Sequence, residues 1–400
     1  MNWTHGAVMK KYSFVTFLIC GFFSINAIAN TTVSTVPEPF RGFDDNSKLT
    51  IDYRDLDSLL DTVVLNTGRS DRKKAARSQS ETGTRMKIAV NRATVNEGNR
   101  FYFEVFDDNA ENQQTLIKIQ KRLENIPRAM PLEKFSRDEQ LAYWINLYNI
   151  TMLNEIVKVY PERKLEDLLV GKDSVLSKKT LMVAGVSLSL NDIQFTILKQ
   201  NYDNNPLVIY GLYQGVIGGP NIRKSAYTGK YVYADLIDNA MEFINSNRGT
   251  DSKNAKVFRV SSLYERNAVF FPDFNADLTE HLLTYLEGEE LDQLKAASKI
   301  KTDINDWTVT DLYGSTRDLG GALANNSAAL DGAVSGGNSS RLTTKSAVLS
   351  KYSPAVLQHL NAINQKKADH KTGTVTIEDM GQAPDETVAT DQVDKDSRQP

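Results

Sequence analysis

Residues 136–160 read SRDEQLAYWINLYNITMLNEIVKVY, and the reading of this stretch decides the fold. Ser136 followed three residues later by Glu139 is a capping box, so the spacing predicts a helix over Arg137 to Tyr160, which Pro161 ends. Within it, Tyr143 to Asn149 mixes two amides and two phenols with large apolar residues. Asn146 and Asn149 are three apart and share one helix face with Tyr143. A buried amide is costly unless it is hydrogen-bonded, so the pair either braces neighbouring loops or lines a polar pocket. Both readings stay open at this point.

Working upstream, Asp52 to Leu65 carries Leu56, Leu59, Leu60, Val63 and Val64 at helical spacing. The basic cluster Arg69, Arg72, Lys73, Lys74 and Arg77 follows and reads as a solvated connection. Arg100 to Asp107 alternates aromatic and polar residues and is undecided between a strand and a helix edge. Ala110 to Ile126 returns to the helical period through Leu116, Ile119 and Leu123, and Pro127 and Pro131 close it. Downstream, Leu181 to Val186 and Val186 to Leu190 read as two short strands around an Ala184-Gly185 turn, and Ser189 to Asn191 cap a helix over Asp192 to Gln200. Asp277 to Leu286 reads as a helix with His281 flanking its apolar face. The pattern predicts an α+β protein, helix-rich with a small sheet.

The two ends of the chain have a different character. Met9, Lys10 and Lys11, the apolar run Tyr12 to Phe23, and Ala27-Ile28-Ala29 have the order of a secretory signal, so residues 1–29 are read as a signal peptide cleaved before Asn30. The apolar run is short of the roughly 20 residues that a span requires, so no stable membrane span is expected after cleavage. The expected location is periplasmic or secreted. Residues 30–46 read as an extended leader, 47–317 as the main domain, 318–346 as a flexible linker, 347–365 as an amphipathic helix and 366–400 as a disordered tail.

Composition narrows the chemistry. Cys20 is the only cysteine and lies inside the signal, so the mature chain has neither a disulfide nor a thiol nucleophile. The histidines are His5, His281, His359 and His370, with no pair at ligand spacing, so no metal and no cofactor are expected. A formal net charge of -3 argues against a nucleic-acid partner. Gly211, Gly215, Gly218 and Gly219 fit neither the dinucleotide nor the Walker spacing, and read instead as sites of tight turns or close backbone approach.

Four stretches, in this order, resemble the family known as domain of unknown function 547, which also occurs in plant proteins carrying leucine zippers. They are YWINLYNI at 143–150, LSLNDIQFTILK at 188–199, NPLVIYGLYQGVIGGPNI at 205–222, and Val260 to Phe274 together with Ile304 to Leu312. The resemblance runs from Leu116 to Leu312 and makes the chain similar to an exported bacterial member. It implies a papain-like ancestry in which a cysteine pairs with a histidine. Where the family pattern reads isoleucine, glutamate and histidine, this chain has Ile193, Gln194 and Phe195, and where it carries two cysteines this chain has Gln214 and Gly219. Those side chains supply neither a nucleophile nor a base. If the family's cysteines were structural, loss of a disulfide would account for Gln214 and Gly219 but not for Gln194 and Phe195.

The sequence therefore predicts no catalytic residue, and a degenerate groove lined by Asn146, Tyr148, Asn149, Asp192, Gln194, Phe195, Gln214 and Gly219. The expected partner is a protein, a peptide or a cell-envelope ligand, glycans included. Two other readings stand beside it. One is a cysteine-independent hydrolase of cell-envelope material using a serine or a carboxylate, with Asp192 the leading carboxylate, although Ser187, Ser189 and Ser225 have no local histidine. The other is a structural scaffold.

Overall fold

A computed structural model of the protein describes residues 34–75, 91–107, 109–254 and 256–312. The expected signal peptide, linker, amphipathic helix and tail lie outside the described residues, as do Cys20 and Arg77. The core belongs to the unit that begins at Val36. Val36 and Phe40 are fully buried, and the Phe40 ring meets Trp144 edge-on at 4.9 Å. The segment read as a leader thus contributes two core side chains.

Helix α1, Arg54–Val63, turns Leu56, Leu60 and Val63 inward. Strand β1, Val64–Leu65, pairs antiparallel with β2, Arg100–Phe101, and a 3-10 turn, Phe103–Val105, follows. The undecided segment is therefore strand and then helical turn. Arg72, from the cluster read as solvated, instead donates to the Thr250 carbonyl at 2.8 Å and to its hydroxyl at 2.9 Å.

Helix α2, Ala110–Ala129, runs through Pro127 rather than ending before it. A proline at that position removes the donor to the Leu123 carbonyl four residues back. The Tyr143 hydroxyl supplies the missing bond, donating to the Leu123 carbonyl at 3.1 Å.

Helix α3, Arg137–Val159, is the centre of the molecule; its side chains from Glu139 to Tyr148 are all buried. A helix apolar on every side has to be surrounded, and α3 packs against α2, α6 (Val232–Ile244) and the turn that opens at Asp192. Ser136 caps it by accepting from the Glu139 amide at 3.3 Å. The return half of the capping box is not made. The Glu139 carboxylate instead accepts from the amides of Ile51 at 2.9 Å and Gly229 at 3.0 Å, tying two distant segments to the helix start.

After the short helix α4, Glu166–Leu169, strands β3, Leu181–Val183, and β4, Val186–Leu188, form a hairpin. Ala184 and Gly185 both have left-handed φ, 47° and 81°, as its two-residue turn requires. The expected helix from Asp192 is a π-helix over Asp192–Leu198, continued by α5, Lys199–Asn201. A 3-10 turn, Pro206–Gly211, leads towards α6. Strands β5, Thr250–Asn254, β6, Val257–Ser261, and β7, Lys299–Ile304, form a sheet in the order β5-β6-β7, the first pair antiparallel and the second parallel. The parallel pair requires a crossover, here α7 (Ser262–Arg266), α8 (Phe274–Tyr285) and α9 (Gly288–Ala296). The protein is α+β, helix-rich, with small sheets, and among the described residues no helix is long and apolar enough to cross a membrane.

Candidate functional site

The glycine-rich segment is held from both sides. Asn149 donates from Nδ2 to the Gly211 carbonyl and accepts at Oδ1 from the Tyr213 amide, each at 2.9 Å. On the other side, Ile217 donates to the Thr308 carbonyl, Gly218 to the Asp306 carbonyl and Thr310 to the Gly215 carbonyl, all at 2.8 Å. A side chain at Gly218 would place its Cβ 2.7 Å from the Asp306 nitrogen, so only glycine permits this approach. Gly218 thus serves close backbone approach and Gly215, at φ 76°, a turn, whereas Gly211 lies against the Ile145 and Leu236 side chains.

This ladder brings Asp306 to Thr310 alongside Gly215 to Gly218, and with it Trp307 to the end of α7. There the Arg266 guanidinium lies over the Trp307 ring at 4.7 Å and donates to the Ser262 hydroxyl at 2.7 Å and to Gln214 Oε1 at 3.1 Å. Ser262 is itself bonded to Asn305. The Tyr148 hydroxyl sits against Gln214, fully buried and without a hydrogen bond of good geometry. Burial holds its pKa above the ordinary phenol range against the opposing effects of Gln214 and Arg266. Burial also brings Arg266 down to about 10, opposed by Tyr148 and Glu265, which leaves the guanidinium charged at neutral pH. One residue further on, Asn267 accepts a bond from Gln194. The last turn of α7 therefore connects Gln194, Gln214 and Tyr148.

The other residues singled out in the sequence lie elsewhere. Asn146 donates to the Tyr227 carbonyl at 2.8 Å and accepts from the Tyr227 amide at 2.9 Å. Together with Asn149 it lines a small cavity closed by Leu56, Leu60, Ile150 and Arg223. Both amides act as braces there. Asp192 engages the amide of Ser189 at 2.6 Å, its hydroxyl at 2.5 Å and Lys179 Nζ at 2.6 Å. Burial alone would raise the Asp192 pKa, but the bonds from Lys179 and Ser189 outweigh it and hold the carboxyl below its usual range. That is a helix-start role. Phe195 is half-buried, its ring 6.3 Å from that of Phe270. Gly219 is buried and its carbonyl accepts from Arg248 at 2.6 Å. The eight residues are thus divided, and Tyr148, Gln194 and Gln214 converge.

Arg266, Trp307, Ser262 and Asn267 were not singled out as site residues, although they lie within the stretches Val260 to Phe274 and Ile304 to Leu312. The available signal was a lone arginine and a lone tryptophan in those stretches. Nothing local in the sequence places the two in contact, because β7 and the ladder are needed to do so.

His281 is half-buried and packs against the aromatic core. Its Nε2 lies 2.8 Å from the Tyr210 hydroxyl, with Phe271 and Tyr285 edge-on at 5.6 and 5.1 Å, and burial lowers its pKa to about 4. Among the described residues no group of three metal-binding side chains occurs. A separate surface groove of about 590 Å³ lies between α1 and α2, floored by Leu59, Val63, Val105, Phe106 and Ile119.

No curated protein and no solved structure matches the chain. A family profile matches residues 132–244, which take in the first three of the four stretches and end with α6, whereas Arg266 and Trp307 lie beyond it. Residues 132–244 belong to the family described as a protein of unknown function, DUF547.

Proposed function

We propose that this is an exported, non-catalytic binding protein whose ligand contacts the cluster of Gln214, Arg266 and Trp307 at the end of α7. One observation carries the reading: Gln214, standing where the family resemblance expects a cysteine, is the acceptor that orients the Arg266 guanidinium. A glutamine amide in that role fixes a recognition group rather than generating a nucleophile. Arg266 is clamped by the Trp307 ring, Ser262 and Gln214 yet remains partly exposed, so a planar donor group is preorganised before a ligand arrives. Gln194, at the position of the family's glutamate, is engaged with Asn267 in the same turn. This use of the matched positions supports descent from a papain-like hydrolase whose active site was converted to recognition. Export is supported by the signal-like residues 1–29. Peptides, glycans or proteins of the cell envelope are the ligand classes proposed.

Retention of peptide and cell-wall fragment mixtures on the immobilised protein tests the reading. Specific retention that Gln214→Ala or Arg266→Gln reduces at least tenfold, without loss of folding by circular dichroism, is expected. Retention unchanged in both variants would place the contact elsewhere and overturn it.

A further inference from the structure

Among the described residues Arg266 makes no ion pair, although most of its surface is buried. Of the other arginines of low exposure, Arg248 pairs with Glu242, Arg223 with Asp235 and Arg259 with Asp303, whereas the fully buried Arg100 also lacks an ion pair among the described residues and donates to the Val95 and Glu97 carbonyls. The adjacent Glu265 is exposed and accepts instead from Thr302 at 3.0 Å. Of the five N–H groups of a guanidinium, the described protein engages one through Ser262 and one through Gln214, which leaves three without an acceptor. Tyr148 adds a buried hydroxyl beside the same Gln214 that makes no hydrogen bond of good geometry. A partly exposed cation with free donors and no ion-pair partner is open to an acidic ligand.

We infer that the cluster of Arg266, Gln214, Trp307 and Tyr148 is a subsite for a carboxylate, such as the free C-terminus of a peptide. This rests on the binding reading given above and assigns its ligand class. A carboxylate is planar and presents two acceptor oxygens, matching the free N–H groups of a planar guanidinium held against the Trp307 face. The charge balance favours a monoanion. The site supplies one cation, and Glu265 lies in its field, so a phosphate dianion would leave negative charge uncompensated in a half-buried setting.

The test is a titration of the purified, isotopically labelled protein with a mixture of N-acetyl tripeptides, once as free acids and once as C-terminal amides. The indole N–H resonance of Trp307, assigned with Trp307→Phe, is the readout. The free acids are expected to shift that resonance saturably and to bind at least tenfold more tightly than the amides, with the difference abolished in Arg266→Gln. Comparison of acids with amides on the wild-type protein is decisive even if that variant does not fold. Equal binding of acids and amides at Trp307 would overturn the carboxylate assignment while leaving the binding reading intact. Inorganic phosphate displacing the acids more effectively than acetate would also overturn the assignment. If neither acids, amides nor cell-wall fragments move the Trp307 resonance, the binding reading fails with it.

Discussion

Asn146 and Tyr227 are joined by a two-point hydrogen bond: the amide of one buried side chain closes on both backbone polar groups of a residue 81 positions away. Residue 227 lies in an irregular segment just ahead of α6, so no regular ladder would otherwise satisfy that amide and carbonyl. Asn146→Ala would leave both groups buried and unpaired. A loss of about 1–3 kcal/mol in urea unfolding is expected. Asn146→Asp should be no milder, since a carboxylate has no donor for the carbonyl.

Gly218 makes a sharper case. Its backbone lies against that of Asp306, and an added Cβ would stand 2.7 Å from the Asp306 nitrogen and 2.8 Å from its oxygen. Gly218→Ala should destabilise by about 1–3 kcal/mol. Because the same ladder delivers Trp307, the substitution should also disturb the Trp307 indole environment, which near-ultraviolet circular dichroism and fluorescence report.

Arg248 is 1 % exposed and depends on Glu242 and the Gly219 carbonyl for its partners. Glu242→Gln preserves the shape and removes the charge, stranding a buried cation. Breaking one side of a buried pair typically costs roughly 3–5 kcal/mol, so the urea midpoint of Glu242→Gln should fall by an amount easily resolved, and that of Glu265→Gln, at an exposed position, should barely move.

His281 makes stability pH-dependent with a definite sign. Its pKa is about 4 in the folded protein against an ordinary value of 6.5, so between these values the unfolded chain binds a proton that the folded chain does not. The contribution is intact above pH 6.5 and is lost as the pH falls towards 4, up to about 3 kcal/mol. His281→Phe should flatten the stability profile in that window, measured by unfolding at a series of pH values.

The sequence revealed the helices better than the site. The runs behind α1, α2, α3 and α8 are periodic, and Ala184-Gly185 announced its own hairpin. The passage of α2 through Pro127 was hidden, because its compensation comes from Tyr143 on another helix. The diversion of Glu139 from its capping box was hidden for the same reason: its partners, Ile51 and Gly229, are 88 and 90 residues away. In the candidate cluster, Gln214 and Gln194 stand out only through the family pattern. The burial of α3 implies that its two amides need partners, but periodicity cannot say whether a partner is a loop or a ligand. Arg266 and Trp307 are 41 positions apart and meet only because β7 and the glycine-rich ladder place them so.

The most direct measurement of the central claim, that Gln214 and its neighbours recognise rather than react, is mass spectrometry of peptides and cell-wall fragments incubated with the mature protein, following release and cleavage together. The account predicts ligands recovered intact and bound, with binding weakened by Gln214→Ala. Turnover that persists in Gln214→Ala and disappears in Asp192→Asn would contradict it.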